Sequence, residues 1–385
     1  MRTVGPWSGT STSRPAPARR RARGGPNAAG DGSAGSLRRA TVAPPRQGRL
    51  GTPWATTSRR VATRHGRSPP MHERRSHPED TSACRAVVVA APAKVNLHLE
   101  VLRARADGYH EIETILQTVS LCDEVRVELR DRGAGGPPRI SLSVEPFGAA
   151  PESPLNLVWR AAELFCRTCG LGGDLGLKLT KRIPTEAGLG GGSSDAAAVL
   201  VACNRLYGTG LSLERLEELG AELGSDVPFF IRGGTQVARG RGTDLQALPA
   251  ITKGKFLIVK PDIALRTSDV YAGLNMGLTL RSPKVNIRTV EALIARFPTG
   301  SWFGANRLED VVLPTQPALQ RLVQSLRENA TVALMCGSGS AVFAVYGDER
   351  RRELARQEAV QPGWYAWDVD PWPGGARVRD DTDRE

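Results

Sequence analysis

Between Lys94 and Val101 apolar and polar residues alternate, with Val95, Leu97, Leu99 and Val101 set against Lys94, Asn96, His98 and Glu100. A period of two predicts a strand with one buried face, and it places Lys94 and Asn96 together on the polar face. The strand starts near Ala86, residues 103–110 predict a turn, and residues 111–130 predict two more strand segments broken around 121–123. A Gly/Pro loop at 133–138 leads to a short strand at 139–144. The spacing then turns helical from Leu155 to Cys169, and returns to a strand at 175–180. Two helices follow, at about 192–207 and from an N-cap at Ser212 to about Leu223. A strand at 235–239 closes the first region near residue 248. Beyond it, strands at 256–260, 332–335 and 341–346 mix with helices at about 268–275, 288–297 and 316–328. The polar tail after Gly374 is expected to fray.

Composition changes the picture at the N-terminus. Residues 1 to about 83 are rich in Arg, Pro, Ala, Gly, Ser and Thr, with too few large aliphatic residues to offset their ordering entropy, so disorder is expected there. Residues 1–70 carry fourteen arginines against one acid, Asp31, a charge of +13, so of the chain's net +12 residues 71–385 are left at −1. A nucleic-acid partner, which the net charge alone would suggest, is therefore not expected of the rest of the chain. The arginine-rich segment fits a transit peptide, a nucleic-acid-binding tail, or upstream sequence included ahead of a start at Met71; the last is favoured. Six scattered cysteines without a signal-peptide core point to reduced thiols and a cytosolic protein, or an organellar one if the extension is a genuine transit peptide. Cys166 and Cys169 form a CxxC inside a helical pattern with no second ligand pair, which argues against structural zinc. No apolar run approaches eighteen residues, so no membrane association is expected.

The candidate chemistry sits at Ile183 to Asn204. Gly188, Gly190, Gly191 and Gly192 precede Ser193 and Ser194 and then an Ala-rich run, so a permissive loop feeds a helix start. Unpaired N–H groups and the helix dipole make such a start an anion site, and the glycines let a phosphate approach the backbone. Ser193, Ser194 and Asp195 can cap the helix, and the hydroxyls can also reach phosphate or magnesium. A plain capped turn is the alternative; three consecutive glycines and two serines favour phosphate. No lysine follows as a P-loop requires, and Ser193 stands where a dinucleotide fingerprint needs glycine. A second small-residue loop, Gly337-Ser338-Gly339-Ser340, lies between two predicted strands and by itself reads as an ordinary hairpin turn.

In this order, Pro92-Ala93-Lys94-Val95-Asn96, the Gly-Gly-Gly-Ser-Ser helix start and the late Gly-Ser-Gly-Ser hairpin resemble the GHMP kinases of small molecules, over about residues 88–370. The resemblance implies an α+β fold in two domains. The N-terminal one, about 84–248, would be a β/α domain similar to ribosomal protein S5. The C-terminal one, about 249–374, would be a ferredoxin-like α/β sandwich, flanked by the extension 1–83 and a polar tail 375–385. Arg105-Ala106-Asp107-Gly108-Tyr109-His110 and Gly224-Ser225-Asp226-Val227-Pro228 are similar to the branch that phosphorylates the 2-hydroxyl of CDP-methylerythritol in the non-mevalonate isoprenoid route. ATP and Mg²⁺ are then the implied cofactors, with no metal ligands assigned, and the protein would be a monomer or weak homodimer. Lys94 and Asp226 would be catalytic. The ATP loop would begin at Pro184, Thr185, Glu186 and Ala187, continue through Gly188, Leu189 and Gly190, and end at Gly191, Gly192, Ser193 and Ser194. Asn96, Tyr109, His110 and Tyr271 would contact the substrate, the two tyrosines sandwiching the cytosine and His110 bonding its edge. Thr185-Glu186 and Ser340-Ala341 depart from the residues usual in the family, without removing a needed chemical group.

Overall fold

The hairpin of β1 (Arg85–Ala104) and β2 (His110–Asp131) is the frame of the molecule in the computed structural model, which describes residues 85–133, 136–146, 148–274 and 285–379. The extension expected to be disordered lies outside the described residues. β2 is one strand where two were expected. Pairing jumps from Ala93 opposite Val119 to Pro92 opposite Cys122, so Ser120 and Leu121, at the edge of the expected break, form a bulge. Pro92 has no N–H for the ladder, and a bulge at that point accommodates it.

β2 is long enough to serve two neighbours. Its C-terminal half pairs with β4 (Asp174–Thr180), which runs parallel to β3 (Arg139–Glu145). Its N-terminal half, Ile112–Gln117, pairs with β5 (Thr235–Gly240), and β5 with β6 (Asp244–Ala247). Four helices cover this sheet: α1 (Leu157–Cys169), α2 (Gly191–Tyr207), α3 (Leu213–Leu223) and α4 (Val227–Arg232). Asn156 caps α1 by accepting from the Val158 N–H, and Ser212 caps α3 by accepting from the Arg215 N–H, as its position predicts. α2 is apolar on most sides because it is buried on most sides; Ala196, Ala197 and Ala198 are fully buried. α4 was not predicted, being six residues long with a proline in its first turn.

The second sheet is antiparallel in the order β10-β7-β9-β8, from β7 (Lys255–Lys260), β8 (Val332–Met335), β9 (Val342–Tyr346) and β10 (Tyr365–Val369). Its helices are α5 (Thr267–Ala272), α6 (Ile287–Ile294), α7 (Glu309–Val312), α8 (Pro317–Arg327) and α9 (Glu349–Ala359). α9 escapes the hydrophobic pattern because its sequence is charged nearly throughout, with Arg352 and Ala359 as its buried residues. The tail expected to fray instead supplies β11 (Arg377–Val378), which pairs with Val89 and Ala90 on β1 while the Ala376 N–H reaches the Phe230 carbonyl at 2.8 Å.

One departure bears on function. The polar face of β1, expected to meet solvent, is buried: Lys94 is 5% exposed, Asn96 3%, His98 0% and Glu100 3%. Residues of the later part of the chain close over it. The Leu99 N–H donates to the Ala305 carbonyl at 2.7 Å, and the Arg307 N–H to the Leu99 carbonyl at 2.8 Å.

Candidate active site

Two backbone hydrogen bonds bring the three sequence motifs together. The Lys94 N–H donates to the Leu189 carbonyl at 3.0 Å, tying β1 to the glycine loop, and the Ala341 N–H donates to the Ala187 carbonyl at 3.2 Å, tying the hairpin to the same loop. Gly188, with φ +74°, is where the loops touch: a Cβ there would lie 1.8 Å from the Cys336 carbonyl oxygen. Glu186 also has a positive φ, 51°, which costs a non-glycine residue strain.

The helix start differs from expectation in its cap. Gly190, in a left-handed conformation, takes the N-cap position of α2, and no side chain accepts there. The first helical bond runs from the Ser194 N–H to the Gly190 carbonyl at 3.0 Å, so the N–H groups of Gly191, Gly192 and Ser193 have no acceptor inside the helix. Ser193 borders the cleft. Ser194 does not: its hydroxyl is buried behind the loop with no partner among the described residues. Asp195 is buried too, and its carboxylate accepts from Lys181 at 2.8 Å. Neither Ser193, Ser194 nor Asp195 caps the helix, because the left-handed glycine one turn earlier already ends the loop.

Lys181 was missed from the sequence. It borders the cleft beside Gly191, and its ammonium bridges Asp195 and Asp123; Asp123 also accepts from the Ile183 N–H at 2.8 Å. Burial works against charge on Lys181, but the two carboxylates outweigh it and hold the ammonium above its ordinary value. Burial pushes the Asp195 carboxyl well above the usual carboxylate range, since one ammonium serves two acids and the backbone donors go to Asp123. Its short-range pattern, a lysine at the end of a strand, carries no sign of partners 58 and 14 residues away.

Lys94 and Asp226 face each other. The Lys94 ammonium donates to Asn96 Oδ1 at 2.8 Å and lies 3.8 Å from Asp226 Oδ2. Asn96 is held in turn, its Nδ2 donating to Thr114 Oγ1 at 3.0 Å, and Thr114 donating to the His98 carbonyl at 2.6 Å. Asp226 stands at the start of α4 with its side chain 41% exposed, so it remains open to the cleft.

That cleft, about 790 Å³, is of a size that holds a small ligand, and it collects every residue of the predicted site except Ser194. The glycine loop forms one wall. Tyr109 and His110 stand on another, and Tyr271 of α5 comes from the later part of the chain. The His110 and Tyr271 rings are 5.0 Å apart at 38°, and Tyr109 is half exposed. Burial, with the Asp226 charge nearby, pushes the Tyr271 phenol up to about 12. The turn that presents Tyr109 is fixed by Asp107, which accepts from the Tyr109 N–H at 3.2 Å and pairs with Arg105 at 3.1 Å. Two supports were not foreseen. Asn306 donates to the Met335 and Gly337 carbonyls at 2.8 and 2.7 Å, fixing the second loop. Arg241 lies over the Tyr109 ring.

Among the described residues no group of three or more His, Cys, Asp or Glu side chains could hold a metal ion. The oxygen donors on the cleft wall, Glu186, Ser193 and Asp226, suit a cation that arrives on phosphate oxygens rather than a cage made by protein alone.

Comparison with known proteins agrees with this geometry. Residues 156–234 match the GHMP kinases N terminal domain and residues 290–363 the GHMP kinases C terminal region. The sequence is 39% identical over 288 residues to the 4-diphosphocytidyl-2-C-methyl-D-erythritol kinase of Geobacter metallireducens, spanning 73% of this chain and 97% of that one. It is 42% identical over 282 residues to the enzyme of the same name from Pelotomaculum thermopropionicum, spanning 71% and 93%. A crystal structure of 4-(cytidine 5'-diphospho)-2C-methyl-D-erythritol kinase superposes with a TM-score of 0.59 at 32% identity, covering 74% of this chain and 99% of that one. Homoserine kinase from Cytophaga hutchinsonii, at 20% identity and a TM-score of 0.59 over 76% and 97% of the two chains, shares the fold.

Proposed function

This chain belongs to the GHMP kinase family, and from that premise we propose that it transfers the γ-phosphoryl group of ATP to the 2-hydroxyl of 4-diphosphocytidyl-2-C-methyl-D-erythritol, in non-mevalonate isoprenoid synthesis. The observation that carries the substrate assignment is the Asp107-Gly108-Tyr109-His110 turn, which places two rings on the wall of the cleft that also holds the glycine loop and the Lys94–Asp226 pair.

Phosphoryl transfer needs positioning, charge neutralisation and an acceptor for the hydroxyl proton. Asp226 takes that proton as the 2-hydroxyl oxygen attacks. Lys94, 3.8 Å from that carboxylate, stabilises the charge that develops on the transferred group. Asn96 fixes the ammonium between the two, since its oxygen accepts from Lys94 and its amide is tied to Thr114. The unpaired N–H groups of Gly191, Gly192 and Ser193 receive the phosphates of ATP. Tyr109 and Tyr271 stack on the cytosine and His110 bonds its edge, each stacked ring being worth about 1–3 kcal/mol in nucleic-acid counterparts. Mg²⁺ bound with the ATP phosphates would neutralise their charge, and Glu186, Ser193 and Asp226 are the oxygen donors on the cleft wall that would hold it.

The partners of the site are small molecules; among the described residues no helix is long and apolar enough to cross a membrane. A cytoplasmic monomer or weak homodimer completes the proposal, with residues 84–248 and 249–374 as its two domains. The test is ATP consumption with the diphosphocytidyl substrate, homoserine and mevalonate offered separately. Turnover with the first alone is expected. A higher kcat/KM with either of the others overturns the assignment.

A further inference from the structure

Three cations border the cleft among the described residues, and two of them face carboxylates. Lys94 faces Asp226, and Lys181 faces Asp123 and Asp195. Arg241 does not. It lies in the turn between β5 and β6, its guanidinium carbon is 5.5 Å from the centroid of the Tyr109 ring, and one Nη2 N–H donates to the Ala221 carbonyl at 2.9 Å. Glu113, which stands opposite Arg239 in the β2–β5 register, is occupied by Arg239 at 2.9 Å and by the Val285 N–H at 2.6 Å. No carboxylate among the described residues lies within ion-pair distance of Arg241.

A guanidinium has five N–H donors in a planar fork that matches phosphate oxygens, and one of them is committed here. The residue is half-buried, so its charge is only partly screened by water. The cation–π contact orients the fork and stiffens the exposed Tyr109 ring at once. The glycine loop and helix start supply donors for the phosphates of ATP, and Lys94 is committed to the reacting groups, which leaves the diphosphate of the acceptor substrate without a cation. Arg241 stands beside the base platform, where a phosphate one ribose away from a stacked cytosine would pass.

We propose that Arg241 binds the diphosphate group of the nucleotide-linked acceptor while bracing Tyr109, so that one wall of the cleft reads both the base and its phosphates. The inference rests on the diphosphocytidyl reading of the acceptor site. The role is binding and specificity, with no part in proton transfer.

The test is calorimetric titration of the full chain with CDP and with cytidine, the ATP site being filled by a non-hydrolysable ATP analogue. Wild type is expected to bind CDP more tightly than cytidine. Arg241→Met, which keeps the aliphatic stem, is expected to cut that preference by about tenfold, the loss of one charge-assisted contact, with unchanged binding of the analogue. Arg241→Lys is expected to fall between, because it keeps the charge and loses the fork. In turnover, KM for the diphosphocytidyl substrate rises while kcat stays within about threefold of wild type. If Arg241→Met does not fold, Arg241→Gln, which retains an N–H for Ala221, carries the same expectation. A CDP-over-cytidine preference equal to wild type in the variant overturns the inference, as does an equal loss for both ligands, which would mean that Arg241 only braces Tyr109. A wild-type protein that binds neither ligand overturns the diphosphocytidyl reading itself, and this inference with it.

Discussion

Lys94 is buried at the edge of an open cleft, where its ammonium donates to Asn96 at 2.8 Å and faces Asp226 at 3.8 Å. A pair at that distance acts as a unit, so its members are most informative when removed together. Asp226→Asn and Lys94→Ala each lower kcat, by roughly 10²–10⁴-fold for the base, with modest changes in KM. The double variant is expected to be far less impaired than the product of the two losses. Multiplicative losses in a double-mutant cycle would separate their roles, and a fully active Asp226→Asn enzyme would remove the base assignment. Both residues were readable as residue types in motifs. Their separation was not, because they stand 132 positions apart in the chain and only packing sets the distance.

The glycine loop shows the same division among elements. A loop feeding an Ala-rich helix is a local pattern, and α2 begins within one residue of where it was predicted. The contact of that loop with the Cys336–Gly339 hairpin is not local, and it depends on Gly188 having no side chain. Gly188→Ala would set a Cβ 1.8 Å from the Cys336 carbonyl oxygen and would keep a left-handed φ of +74°, a strain of about 1–3 kcal/mol before any clash. It is expected to lower the melting temperature and raise KM for ATP more than tenfold. Gly192→Ala is the control for stability, since its Cβ would meet only Leu157 Cδ1 at 3.8 Å. Equal melting temperatures for the two variants would show that the loops can separate without cost.

β1 joins the whole molecule, because successive stretches of it enter three different cores. Val89 and Ala91 pack with α1 and α2; Ala93, Val95 and Leu97 pack with residues of the second sheet; Leu99 and Val101 pack beneath α8. His98 lies on the strand between the last two, fully buried, with its Nδ1 3.5 Å from the donating Ala305 N–H and its ring 5.5 Å from Phe303. Burial lowers its pKa to about 4, against a smaller upward pull from Glu113. The unfolded chain therefore takes up this proton first, as pH falls below about 6.5, and the folded chain only near 4. Stability is expected to fall across that window, by up to about 3 kcal/mol from this group, and to gain nothing from it above pH 7. Urea unfolding at pH 7 and pH 4.5 checks this: His98→Asn is expected to lose less stability on acidification than wild type. An equal loss would place the acid sensitivity elsewhere.

The sequence alone determined most strands and helices of the first region, α4 and β6 excepted, the glycine loop that opens α2, and the motif set that assigns the family. Each is written in runs of about ten to twenty residues, where period, capping and glycine content act locally. Tertiary structure decided what those runs could not: that the polar face of β1 is covered, that Lys181 joins Asp123 to Asp195, that Ser194 turns away from the cleft, and that Arg241 lies over Tyr109. All four depend on contacts between distant segments. Those contacts are set by how buried surfaces fill space, and local periodicity carries no record of which polar side chains will meet once they do.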